Sequence, residues 1–325
     1  MRLSELEPRH LDGCVSLFMD GLARQAARTP ALEIRHIGPD VVREMLADRC
    51  SRSGGLVLTD NARLVGYLAG EVIEGFFGAH RGGYVPEWAF AAAPGVAFDA
   101  CSQMYQAAGQ RWADLGCAVH VVNLLHADDS VREAYSWNGF GFLCIDAVRR
   151  VEPIGAVIPT GIRILPARPG DVPALLPLAA GLNRHLAGAP SFKFYDGIET
   201  PEEVASWVEG PGHHAWIAWK GDRAVGFIKC APVEHGAAWV VRGDRSFAVN
   251  GAYVDPGERA AGVAKALLST VMAWAADAGM LRCSVDFEAG NPEAARFWLK
   301  HFQPVCVSML RRLDHRLFDR RPSGA

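Results

Sequence analysis

Residues 281–288 alternate strictly. Leu281, Cys283, Val285 and Phe287 fall on one side and Arg282, Ser284, Asp286 and Glu288 on the other, the period of a strand with one polar face. Ahead of it, Val263, Leu267, Val271 and Trp274 recur at helical spacing, which predicts one long helix over 259–278 stopped by Gly279. The same reading predicts strands over 162–165, 214–219, 224–230, 246–254 and 305–313, and helices over 171–186, 202–208 and 291–301. Lys220-Gly221-Asp222 is a hairpin signal, and Thr200-Pro201 supplies a helix cap and a first-turn proline. The N-terminal half predicts strands over 56–59, 63–72, 84–92, 118–124 and 140–150, with helices between them.

The two halves repeat one another. Trp112-Ala113 and Trp274-Ala275 lie 162 residues apart, and at that offset Pro94-Gly95 falls on Pro256-Gly257, Phe140 on Phe302, Cys144 on Cys306 and Arg149-Arg150 on Arg311-Arg312. Near an offset of 160, Arg63 and Val65-Gly66 match Arg223 and Val225-Gly226, and Gly21-Leu22 with Arg24 match Gly181-Leu182 with Arg184. A domain-sized period of this kind indicates two copies of one fold rather than a solenoid. The expected boundaries are a first copy over 1–151, a linker over 152–160 carrying Pro153, Gly155 and Pro159, and a second copy over 161–325.

Composition narrows the classes. The chain has 325 residues, 50% hydrophobic and 21% charged, as a globular protein of two domains would. Its formal net charge of −3 lacks the basic excess of a nucleic-acid binder. Arg311, Arg312, Arg316, Arg320 and Arg321 read as a solvated terminal strand and its fray. No apolar run reaches the ~18 residues of a membrane span, and the first ten residues lack the apolar stretch of a signal peptide. The eight cysteines include no CxxC pair and read as reduced core thiols in a cytoplasmic protein. His213–His214 has no partner at zinc-ligand spacing, so no metal is expected.

The segment from Val254 to Ala264 joins a strand to the long helix. The first turn of a helix has unpaired N–H groups and a partial positive charge, and a phosphate satisfies both where the backbone is approachable. Gly262 has no Cβ to block that approach, Ala264 is nearly as small, and Arg259 adds a charged donor at the edge. Small residues that merely let a strand turn into a helix are the plain structural alternative.

Arg259-x-x-Gly262-x-Ala264 after a strand resembles the acyl-CoA loop of the GNAT acetyltransferase superfamily, and Asn291-x-x-Ala294-x-x-Phe297-Trp298 after the next strand is similar to that family's following motif. The order of elements and their doubling resemble tandem members. The specific motifs cover about residues 250–302 and the resemblance of fold nearly the whole chain. The resemblance implies an α/β (α+β) fold class with two tandem domains, each a central mixed β-sheet flanked by helices. It also implies that the fourth and fifth strands splay apart and that acetyl-CoA, the co-substrate, lies in the gap. The backbone of Arg259, Ala260, Ala261, Gly262, Val263 and Ala264 would cradle the pyrophosphate, and that of Ala252, Tyr253 and Val254 would face the pantetheine and the acyl carbonyl. Asn291 would bond near the pantetheine and Phe297 would pack beside it. The family often has a tyrosine after that phenylalanine, as general acid for the leaving thiolate. Here it is Trp298, and the usual Gly-Phe after the helix is His301-Phe302.

Acyl transfer to an amine proceeds through a tetrahedral intermediate and needs a neutral amine, donors for the oxyanion and a departing thiolate. A thiol's reference pKa of ~8.5 makes the thiolate a tolerable leaving group without a strong acid. Asp286 and Glu288, on the polar side of their strand, are the candidate bases. Their plain alternative is a solvated strand end, or ion pairs with Arg282 or Arg296. Tyr253 is a candidate proton donor or acceptor, or else a packed ring with one hydrogen bond. His235 and His213–His214 fall on expected loops, and Trp88, Trp207, Trp216, Trp239, Phe192, Phe194 and Tyr195 are aromatic residues for the core or the acceptor pocket.

The first copy lacks the cradle. At the offset of 162, Arg259 falls on Ala97, Ala261 on Asp99, Gly262 on Ala100 and Ala264 on Ser102. The expectation is a degenerate first domain and an acyl-CoA-dependent N-acyltransferase active in the second. Its partner would be a small-molecule amine, with no nucleic acid and no membrane, in a monomer or homodimer. The alternative is a non-catalytic acyl-CoA-binding module or sensor.

Overall fold

A computed structural model describes residues 1–77, 80–194, 199–233 and 238–319. Tyr195, His235, Arg320 and Arg321 lie outside the described residues. The strands are β1 (Arg2–Glu5), β2 (Leu56–Asp60), β3 (Arg63–Leu68), β4 (Glu71–Phe76), β5 (His80–Val85), β6 (Phe90–Ala92), β7 (Val119–Leu125), β8 (Gly141–Arg150), β9 (Ile162–Pro166), β10 (His214–Lys220), β11 (Arg223–Pro232), β12 (Ser246–Val254), β13 (Arg282–Glu288) and β14 (Gln303–Arg312). The helices are α1 (Leu11–Arg28), α2 (Pro39–Ser53), α3 (Ala97–Asp114), α4 (Asp129–Trp137), α5 (Val172–Ala187), α6 (Pro201–Glu209), α7 (Val263–Asp277), α8 (Pro292–His301) and α9 (Arg316–Asp319). Among the described residues no helix is long and apolar enough to cross a membrane.

Two compact units divide the chain, Met1–Ile145 with Pro304–Ala325 in one and Asp146–Gln303 in the other. The segment 152–160 therefore lies inside the second unit, and most of the final strand belongs to the first. In the first unit the strand orders are β1-β2-β3-β6 and β4-β5-β7-β14. β14 pairs antiparallel with β7, from Cys306 opposite Leu125 to Arg312 opposite Val119. In the second unit the order is β13-β12-β11-β10-β9, with the latter half of β8 beyond β13.

Two expected strands of the first half are each broken in two. The stretch 63–72 divides into β3 and β4, and 84–92 into β5 and β6 around a 3-10 turn over Glu87–Ala89. Pro86 precedes that turn and has no N–H to offer a ladder. β5 pairs parallel with β7, whereas β6 leaves to pair with β3.

In the second unit the same divergence occurs within one strand. β12 runs parallel to β13 only from Ser246 opposite Arg282 to Val249 opposite Val285. Its antiparallel pairing with β11 continues to Val254 opposite Gly226. Between Val249 and Gly251 the register skips Asn250, a β-bulge that bends the strand. Beyond it, β12 and β13 are separated by a cleft.

Helices on the sheet fix this strand pair. Val172, Leu175 and Leu178 of α5 and Val204 of α6 bury their side chains against Ile217 and Phe227, and Tyr253 packs at the margin of the cluster. Burying each such aliphatic side chain contributes about 1.5–3 kcal/mol. α6 starts in a reciprocal cap, with Glu203 N–H donating to Thr200 Oγ1 at 3.1 Å and Thr200 N–H to Glu203 Oε2 at 2.7 Å.

Candidate functional site

The helix expected from residue 259 begins at Val263. Residues 259–262 form a loop because two of them are left-handed, Ala260 at φ 61° and Gly262 at φ 87°. A Cβ on Gly262 would come no closer than 3.7 Å, to Pro159 Cγ, so glycine is needed there for its backbone angle more than for space. Ala266 N–H makes the first bond of α7, to Gly262 O at 3.0 Å. The N–H groups of Val263, Ala264 and Lys265 precede it and have no carbonyl within the helix to bond. The turn before the loop is pinned by ion pairs. Glu258 meets Lys220 at 3.0 Å and Arg223 at 2.8 Å, and Asp255 meets Arg223 at 2.8 Å.

A cavity of about 470 Å³ opens in the cleft. Ala252, Tyr253, Val254, Arg259, Ala260, Gly262, Val263, Ala264, Asn291 and Phe297 all line it, together with His185, Lys265, Glu293 and Trp298. Ala261 is the one member of the predicted cofactor-binding set outside that lining. Asp255 N–H bonds Val225 O at 2.9 Å. By antiparallel alternation Tyr253 and Gly251 then bond across to β11, and Ala252 and Val254 turn their backbone groups towards the cleft. Val254 O accepts from Arg259 Nε at 3.1 Å, as that geometry requires.

Arg259 is not extended over the loop. Its guanidinium lies 5.6 Å from the centre of the Tyr253 ring and forms an ion pair with Glu293 on α8. His185 Nε2 of α5 stands 3.8 Å from the same Glu293 carboxylate. Asn291 caps α8, its Oδ1 accepting from Ala294 N–H at 3.1 Å. Its side-chain amide remains a donor at the cavity wall. Trp298 is buried against Phe297 and Phe302, with ring centres 4.8 and 5.4 Å away. Tyr253 lies across α5 at Gly181, where an added Cβ would come within 2.9 Å of the phenol oxygen.

The two candidate bases differ. Glu288 is ion-paired with Lys193 from the α5–α6 connection. Asp286 stays open to solvent, yet the protein around it raises its carboxyl above the ordinary range through desolvation, and Glu288 adds to the rise while Lys193 opposes it. Neither Asp286 nor Glu288 lines the cavity itself. Arg282 instead reaches Ser246 Oγ at 3.4 Å. His213 stacks on Trp207 with ring centres 4.6 Å apart, and its Nδ1 lies 2.7 Å from Trp207 O. Trp216 is buried, whereas Phe192 and Phe194 are 73% and 82% exposed. Sequence reasoning gave no role to Lys193, His185 or Glu293. The only local signal for Lys193 is a charge between two phenylalanines.

The first unit carries the same divergence without the cavity lining. α3 begins at Ala97, so residues that match 259–262 are already in or against a helical turn. Phe90 stands where the second unit has Ala252, Tyr105 where it has Leu267, and Tyr135 where it has Phe297. All three are buried, with Phe90–Tyr135 ring centres at 5.7 Å and Tyr105–Tyr135 at 6.0 Å. Asp99 lies exposed in the first turn of α3.

A mixed sheet whose parallel neighbours part beside a helix N-terminus defines an α/β protein with a cleft at that terminus. Residues 185–302 match the family model described as the acetyltransferase (GNAT) family, and over that span the chain carries a GNAT-type acetyltransferase domain. A GCN5-related N-acetyltransferase from Sphaerobacter thermophilus shares the fold at a TM-score of 0.54 and 15% identity, over 96% of this chain and 95% of that one. The GCN5-related glucosamine N-acetyltransferase region of a fungal multi-domain GH3 β-N-acetylglucosaminidase superposes at a TM-score of 0.50 and 12% identity, over 95% of this chain and 38% of that one. Among curated proteins nothing matches.

Proposed function

We propose that the protein is an acyl-CoA-dependent N-acyltransferase that moves an acetyl group from acetyl-CoA to an amine of a small molecule, with the chemistry confined to the second unit. The observation that carries this reading is the cleft between β12 and β13, which ends at the first-turn N–H groups of α7. The residues fit the cofactor. A cavity of about 470 Å³ suits an extended thioester chain, and the small side chain of Ala252 leaves room that Phe90 takes in the first unit. Acetyl-CoA, when bound, supplies the activated acyl group.

The residues of this chain divide the work. The amides of Val263, Ala264 and Lys265 receive the diphosphate, and the left-handed Gly262 brings the backbone to it. The N–H of Ala252 faces the cleft and donates to the oxygen that gains charge during attack. Asp286 takes the amine proton, directly or through water, and its raised proton affinity suits that task. Tyr253 is placed to steady the acceptor or return a proton to the sulfur. Positioning supplies much of the rate, so buried Trp298 in place of a phenol lowers the ceiling without removing the reaction.

That tryptophan is also what favours the second reading, a module that binds acyl-CoA without turnover. One experiment separates the two. Calorimetry should find one acetyl-CoA per chain, and free thiol should appear when acetyl-CoA is mixed with a panel of primary amines. Binding without thiol release would select the sensor, and two equivalent sites would overturn the assignment to the second unit.

A further inference from the structure

The connection leaving α5 is fastened to the end of β13. Ser191 Oγ donates to Gly290 O at 3.3 Å, and a Cβ on Gly290 would lie 3.4 Å from Pro190 O and from Ser191 Cα. Lys193 N–H bonds back to Leu186 O at 2.9 Å, and its ammonium ends on Glu288. Glu288 and Asp286 are two residues apart on β13 and share a face, while Val285 and Phe287 point into the core. The ammonium is thus delivered to the carboxylate beside the proposed base by a segment far away in sequence.

We propose that Lys193 is a positioning residue of the acyl-transfer site. Its ammonium docks the α5–α6 connection onto β13 through Glu288 and sets the electrostatic environment in which Asp286 works. This rests on the reading of Asp286 as the base. Lys193, from the connection, and Glu288, from its own strand, both bear on Asp286. The facing part of β12, residues 248–252, has no titratable side chain. On the other neighbouring strand, β8, Arg149 bears on Cys283 instead.

The two charges act in opposite directions. Lys193 favours ionised Asp286, whereas Glu288 favours its protonated form. A residue that only held the loop would move Asp286 the same way whichever partner was removed.

The test is a carboxyl-carbon NMR titration of Asp286, assigned by its disappearance in Asp286→Asn, in the full-length protein. Lys193→Met should shift the midpoint to higher pH, Lys193→Arg should restore it, and Glu288→Gln should shift it to lower pH. Thermal melts of each variant check that the fold persists. An unmoved midpoint in Lys193→Met, or shifts of the same sign in Lys193→Met and Glu288→Gln, would overturn the proposal. The titration needs no substrate. Failure of thiol release in the wild-type protein would sink the catalytic reading while leaving the electrostatic role of Lys193 to be decided by the midpoints alone.

Discussion

Arg259 and Glu293 form an ion pair from opposite lips of the cleft, one in the loop after β12 and the other in the first turn of α8. Both residues line the cavity, beside the first-turn amides of α7. Glu293 is more than half exposed, so the attraction is partly screened. Glu293→Gln should free the guanidinium and remove a repelling charge. Acetyl-CoA should then bind about two- to fivefold tighter, the range a screened surface pair supports. Calorimetry on the variant decides it, and weaker binding would mean that Glu293 holds Arg259 in its working position.

Gly262→Asp places a carboxylate at the start of α7. The left-handed angle is tolerable for aspartate among non-glycine residues, so the unit should still fold at a cost of about 1–2 kcal/mol. Acetyl-CoA binding should be lost, because the new charge competes for the same amides. Unchanged affinity would remove the loop from the site.

Ala252→Phe would reproduce in the second unit the plug that Phe90 makes in the first. Filling the cleft should abolish acetyl-CoA binding while changing stability by no more than about 1–3 kcal/mol, the usual range for overpacking. The complementary check is the count of sites. The wild-type isotherm should fit one site per chain, and the variant should show none.

Asp286 gives a prediction in pH. Its carboxyl is raised in the folded protein. Between its unfolded and folded pKa values the native state therefore binds more protons, and stability falls as pH rises through that window. Asp286→Asn should remove the penalty, so the variant should be more resistant to urea than wild type near neutral pH, with the gap closing as pH falls towards the ordinary aspartate range. The same variant should lose the rising limb of the pH–rate profile for thiol release. A wild-type pH–rate profile in this variant would exclude Asp286 as the base.

Ending the chain at Gln303 removes β14 from the first unit and exposes the β7 edge that it covers. The amides of β7 that face β14 should lose their protection against hydrogen exchange, whereas those facing β5 keep theirs. A fragment over 1–151 lacks the same strand and should behave likewise. Full protection in either one would show that β7 holds its place without β14.

The amphipathic period of α7, the alternation of β13 and the cap at Thr200 were all legible in the chain, because each depends on neighbours a few residues away. Gly262 was also singled out, for its missing Cβ, whereas the structure gives its left-handed φ of 87° as the reason for glycine there. The start of α7 was misplaced by four residues, because Ala260 adopts a positive φ that no local pattern announces. The predicted strand over 84–92 was broken by Pro86 and the turn after it, a reminder that apolar runs mark burial before they mark a ladder.

Period and the repeat at 162 residues set out the order of strands and helices and singled out the loop over 259–264, which the first half does not repeat. Tertiary structure alone decided that β14 completes the first unit, that Arg259 turns to Glu293, that Lys193 reaches Glu288, and that Phe90 and Tyr135 pack against each other. The reason is one of distance. Local periodicity is set by backbone geometry and can be read residue by residue, whereas the choice of partner for a charge or a ring is made between segments tens to hundreds of residues apart, by the packing that brings them together.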